Sequence, residues 1–167
     1  MRKKSKYKPK GVRVDSLQWV LSGLKPFNSI SLGTDIRIKN HVAMDELRKG
    51  VATKDDVDIL IGAFNMMEGF VRLGIGNDWA DEVRAGQDAL LAIARRGVKR
   101  DMRFVATGLE LQALNLAMEI HDAQLDACNV RQLERALDIV KEDVIHKRAR
   151  QINAEDNPSP GGSVAHN

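Results

Sequence analysis

The stretch Thr53-Lys54-Asp55-Asp56-Val57-Asp58-Ile59-Leu60-Ile61-Gly62-Ala63-Phe64-Asn65-Met66-Met67-Glu68-Gly69-Phe70-Val71-Arg72-Leu73-Gly74 reads as a helix with both ends marked. Thr53 is a good N-cap, because its hydroxyl accepts one of the backbone N–H groups that a helix start leaves unpaired. Asp55 and Asp56 suit the positive end of the helix dipole. Val57, Leu60, Ile61, Phe64, Met67 and Val71 recur at the 3.6-residue period of a buried helix face. Gly74 and Gly76 punctuate the end.

Toward the C-terminus the same grammar repeats three times. A helix starts at Asn77 or Asp78, with Trp79, Val83, Leu90 and Ile93 on its expected buried side. Arg95 and Arg96 suit its negative end, and Gly97 is its predicted stop. Residues 98–106 read as a connector, with Phe104 and Val105 tucked beneath it. Thr107 followed by Glu110 is a capping-box pattern, and Leu111, Leu114, Met118, His121 and Leu125 then share a face. Asn129 with Gln132 repeats the box and opens a last helix striped by Leu133, Ala136, Leu137, Val140 and Val144. Its end turns basic at Lys147, Arg148 and Arg150.

Toward the N-terminus the signals weaken. A short helix is expected from about Asn40 to Lys49, closed by Gly50. Residues 27–36 read as loop, and Ile36 and Ile38 alternating with Arg37 and Lys39 suggest a short extended piece. A first helix carries Leu17, Trp19, Val20, Leu21 and Leu24 and stops before Pro26. Trp19 either packs on the bundle or anchors an interface. Residues 1–13 form a flexible basic arm, 14–151 a single helical domain, and 152–167 a polar tail without a packing pattern. The fold class predicted is all-α, a helical bundle or an antiparallel array of helical hairpins, because short links make consecutive helices neighbours.

Composition narrows the function classes. A hydrophobic fraction of 43% with only 4% aromatic residues gives an aliphatic core. No apolar run approaches the ~18 residues of a membrane span, and no cleavable leader follows the basic start. The expected location is the cytoplasm of a bacterial host. Cys128 is the only cysteine, so no intrachain disulfide exists, and no local base marks it as a nucleophile. His121 shares a face with Leu114, Met118 and Leu125, which makes it a core residue rather than a ligand. His41 reads as a helix-start residue. Gly74-Ile75-Gly76 lacks the remaining residues of any phosphate loop, and no Gly-x-Ser-x-Gly occurs. No catalytic residue, metal ligand or cofactor is expected, and the protein reads as non-enzymatic.

Charge gives the positive signal. Residues 1–13 hold seven basic residues and no acid, while the whole chain carries +3. Subtracting the arm leaves −4 for the remainder. Arg2, Lys3, Lys4, Lys6, Lys8, Lys10 and Arg13 are therefore candidate phosphate contacts, and Tyr7 is a candidate stacking platform for a base. DNA or RNA is the expected partner. The alternative is a host protein, bound and inhibited through the acidic helical body. A helix–turn–helix across residues 41–49 and the helix from Thr53 has a suitable layout. However, Asp55, Asp56 and Asp58 would stand where a recognition helix meets phosphate.

Lys-Ser-Lys-Tyr-Lys-Pro-Lys-Gly-Val-Arg (4–13), Ile-Arg-Ile-Lys-Asn-His (36–41), Ala-Thr-Lys-Asp-Asp-Val-Asp-Ile-Leu-Ile (52–61) and Met-Glu-Ile-His-Asp-Ala-Gln-Leu-Asp (118–126) resemble a family of small proteins from tailed phages and prophages of proteobacteria. The resemblance covers roughly residues 1–150. It implies a phage setting and an early accessory role outside the virion. Some members carry a transcription-regulator label, but the resemblance assigns no activity, ligand or catalytic residue to any position.

Overall fold

The structure is a computed structural model that describes residues 31–146. The basic arm, the segment around Trp19, the basic positions 147–150 and the tail lie outside the described residues. Among the described residues five α-helices form an all-α bundle: α1 (Ser31–Lys49), α2 (Lys54–Arg72), α3 (Ala80–Val98), α4 (Gly108–Ala127) and α5 (Val130–Ile145). A 3-10 turn, Asn77–Trp79, leads into α3.

The helix ends follow the sequence signals closely. Thr53, Thr107 and Asn129 each close a reciprocal capping box, with Asp56, Glu110 and Gln132 as the returning side chains. Gly50 and Gly74 adopt positive φ, +74° and +80°, and end α1 and α2. At each, the glycine N–H and the next N–H reach back to consecutive orphan carbonyls: Gly50 to Leu47 and Val51 to Glu46, then Gly74 to Val71 and Ile75 to Phe70.

Helix α2 is the hub and touches all four other helices. Val57, Leu60, Phe64, Met67 and Phe70 are fully buried on it. The main core joins the first four to Ala43, Met44 and Leu47 of α1, Leu90 and Ile93 of α3, and Leu114 and Ala117 of α4. A second cluster sets Phe70 against Leu125, Cys128, Leu133 and Ala136. Two glycines permit the close crossings. A Cβ on Gly86 would lie 2.6 Å from Ala117 Cβ, and one on Gly69 would lie 3.0 Å from the Ala136 carbonyl oxygen.

Several expectations are corrected. Residues 31–39 are helical rather than loop and strand, so α1 runs unbroken for 19 residues. Asn40, Ala43, Met44 and Leu47 bury one face with Ile36 half-buried behind them, while Ile38 is 56% exposed. Burial of that face overrides the weak local signal. Gly97 does not terminate α3. It sits buried one residue before the end, where a Cβ would meet the Phe104 ring at 2.2 Å. Phe104 is tucked in as expected, but Val105 is exposed, as are Trp79 and Val144. The two-residue link after α4 does not lay α5 alongside it. Cys128 and Asn129 are both extended, which turns the chain so that α5 packs chiefly on α2.

The polar seams are specific. Arg72 pairs with Glu68 and with Asp143 of α5, each at 2.7 Å, and Gln87 of α3 donates to Glu68 and to the Phe64 carbonyl. Burial pushes the Glu68 carboxyl up, but the bonds from Arg72 and Gln87 outweigh it and hold it below its ordinary value. Between α1 and α4, Arg37 bonds Asp126 and His41 bonds Asp122.

Gly86→Ala tests the tight crossing. Overpacking against Ala117 and Phe64 should destabilise the protein by about 1–3 kcal/mol in chemical denaturation, despite the better helix propensity of alanine.

Candidate functional site: a basic turn between two helices

Two side chains with intrinsic reactivity, His121 and Cys128, are locked into the core. His121 is 1% exposed, and Asn40 Nδ2 donates to its Nε2 at 3.0 Å, which leaves the ring proton on Nδ1. Burial pushes its pKa down to about 4, a shift that Asp122 opposes and Arg37 and His41 reinforce. His41 lies in the middle of α1, not at a helix start, and its Nε2 meets Asp122 at 2.8 Å. Cys128 is 2% exposed, and burial raises its thiol to about 11, which keeps it protonated and inert. Among the described residues no cluster of His, Cys, Asp and Glu has the makings of a metal site.

The helix–turn–helix layout fails for a structural reason as well as an electrostatic one. Its would-be reading helix is α2, packed against four neighbours. The α2 start carries Asp55 and Asp56, with Lys54 already paired to Asp58.

A different positively charged surface exists at the end of the α3–α4 hairpin. Arg95, Arg96, Lys99, Arg100 and Arg103 fall within nine residues, with Asp101 the only acid among them. The turn is built from both sides. Arg96 makes two bonds to Glu110, 2.9 and 2.6 Å, and a third to the Val105 carbonyl at 2.7 Å. That bidentate pairing, together with bonds from Thr107, holds the Glu110 carboxyl below its usual range. Phe104 fills the notch over Gly97. Between these anchors Arg103 N–H donates to the Arg100 carbonyl at 3.1 Å. The two central residues, Asp101 and Met102, both have positive φ, 51° and 62°. Two such residues in succession are the signature of a type I′ turn, which ordinarily takes Asn and Gly. Aspartate tolerates this conformation, whereas methionine is strained in it.

The turn therefore holds Lys99, Arg100 and Arg103 exposed, with Met102 at the tip 43% exposed. Arg96 is occupied by its carboxylate, but its anchoring fixes where the other three stand. Backbone strain outside glycine gathers at this one turn among the described residues. The sequence carried the signal as a run of basic residues. Arg95 and Arg96 by themselves suit the negative end of a helix dipole, which hides the run as a unit. The arm residues Arg2, Lys3, Lys4, Lys6, Tyr7, Lys8, Lys10 and Arg13 lie outside the described residues, as do Lys147, Arg148 and Arg150.

The described chain is thus an all-α bundle with a basic, strained hairpin tip. No family model matches it, and neither the curated proteins nor the solved structures compared with it include a match.

Two measurements check this geometry. Met102→Gly should raise stability by about 0.5–1 kcal/mol, because glycine adopts positive φ without the Cβ clash and little packing is lost. His121 sets a pH dependence. Its folded pKa lies below its ordinary 6.5, so the unfolded chain binds more protons between these values. Stability should fall as pH drops from 6.5 to about 4, by about 3 kcal/mol in total, and the loss should saturate below that window. His121→Gln should flatten that part of the stability–pH curve in urea melts.

Proposed function

We propose that this protein is a non-enzymatic nucleic-acid-binding accessory protein that grips phosphate through its basic arm and through the α3–α4 turn. The observation that carries the reading is the turn. Three exposed cations, Lys99, Arg100 and Arg103, are displayed on a backbone that accepts strain at Met102. Fixed cations of this kind contribute counterion release, and the arm supplies more of the same charge. The turn offers no base-reading helix, so contact with the sugar–phosphate backbone rather than with base edges is its expected mode. The phage setting, and an early regulatory role within it, rests on the resemblance of the four sequence segments alone.

Binding to mixed double- and single-stranded DNA over a salt series tests this with three proteins. These are the full chain, a variant beginning at Val14, and the triple variant Lys99→Ala, Arg100→Ala, Arg103→Ala. The full chain should bind with a steep salt dependence. The triple variant should bind more weakly, with a slope shallower by about 2–3, roughly 0.9 per lost phosphate contact. Deleting the arm should remove most of the remaining affinity. Unchanged binding by the triple variant would remove the turn from the interface. Failure of the full chain to bind at low salt would replace nucleic acid with a host protein bound through the acidic body.

A further inference from the structure

An open cleft of about 400 Å³ lies where the α2–α3 connection meets the C-terminal half of α4. Its size falls within the range of small-molecule sites. Ile75, Trp79, Leu116 and Ile120 give it an apolar lining. Trp79 stands half-exposed on the 3-10 turn, and Leu116 is 41% exposed. A tryptophan and a leucine beside one cleft leave a costly apolar surface in water, which a ligand would cover.

Two polar side chains of α4, Gln124 and Glu119, belong to the lining. Gln124 is 2% exposed, and its Nε2 donates to the Ile75 carbonyl at 2.9 Å and to the Met67 carbonyl at 3.3 Å. Those two bonds fix the amide orientation and leave Oε1 a buried acceptor with no donor. Glu119, exposed on α4, adds a carboxylate at the edge. Among the described residues no lysine, arginine or histidine lines the cleft. Among the described residues the one charged side chain in the lining is thus the Glu119 carboxylate, which shares the cleft with the Trp79 indole, whose π face attracts cations.

We infer that this cleft is a binding site for a small organic cation, an amine carried on an aromatic or alkyl body. The apolar part fills the space between Trp79 and Leu116. The ammonium group faces Glu119 and the indole. An anionic ligand of the same shape meets the Glu119 carboxylate and is disfavoured. This inference is independent of the nucleic-acid reading, since none of the residues at the basic turn lines the cleft.

Amide chemical shifts of the full chain, titrated with tryptamine, indole and indole-3-propionate, test it. Tryptamine should shift Gly76, Trp79, Ile120 and Ala127 and should bind at least threefold more tightly than indole-3-propionate. Glu119→Gln, a change at an exposed position, should abolish that preference and leave neutral indole unaffected. Ala123→Leu, also exposed and lining the cleft, should fill it and weaken all three ligands. The inference is overturned by shifts that avoid these residues, by equal binding of amine and carboxylate, by a preference that survives Glu119→Gln, or by binding that Ala123→Leu leaves intact.

Discussion

A helix enclosed by four others has little surface left for charge unless a neighbour supplies the opposite sign, and it can be approached closely only where its partners are small. The C-terminal half of α2 meets both conditions. Its Glu68 and Arg72 are answered by Gln87 of α3 and Asp143 of α5, so the ionic groups near the core are paired and hydrogen-bonded. Gly69 lets the α5 backbone at Ala136 come to contact distance. The same device recurs one layer away, where Gly86 accepts Ala117 and fits α3 to α4. With α2 held in this way, the other helices have few choices left.

The helix pairs then differ in how they are fastened. The α3–α4 hairpin is joined by apolar packing along its length and clamped at its tip by Arg96 and Glu110. The α1–α4 contact is more polar, a row made by Arg37, Asn40 and His41 against His121, Asp122 and Asp126. Asn40 and His121 are both nearly inaccessible, so their mutual hydrogen bond matters more than the exposed pairs beside it. The protonation of His121 couples this contact to pH.

The proposed functional surfaces fall at places where packing is complete and chain direction changes. The α3–α4 turn puts its strain where Phe104 and Arg96 already secure the ends, so stability elsewhere offsets an unfavourable Met102. The apolar cleft lies beside the other reversal, after α2, where Gly76 and the short 3-10 turn set Trp79 outside the core. α4 begins just after the basic tip and ends beside the cleft, so one helix carries parts of both surroundings with opposite electrostatic character.

Much of this architecture was legible in local chemistry. Thr53, Thr107 and Asn129 mark three helix starts, and Gly50 and Gly74 mark two ends, because capping depends on residues within one turn of each other. The core role of His121 followed from its stripe. Three things were not legible. The local signal for helix α1 covers only its second half, because its N-terminal turns are stabilised by burial against α2 and α4 rather than by propensity. Gly97 looks like a stop in the sequence, because its neighbour Phe104 arrives only after the chain has turned back. The basic tip does not stand out as a unit, because Arg95 and Arg96 alone suit a helix dipole, residues 98–106 read as a connector, and nothing in the order of residues shows that Asp101 and Met102 take up left-handed geometry. The sequence by itself determined the helical class and most helix boundaries, since hydrogen bonds and periodicity are local. The tertiary structure alone decided which helices touch and which charges stay exposed, since both depend on contacts between residues far apart in the chain.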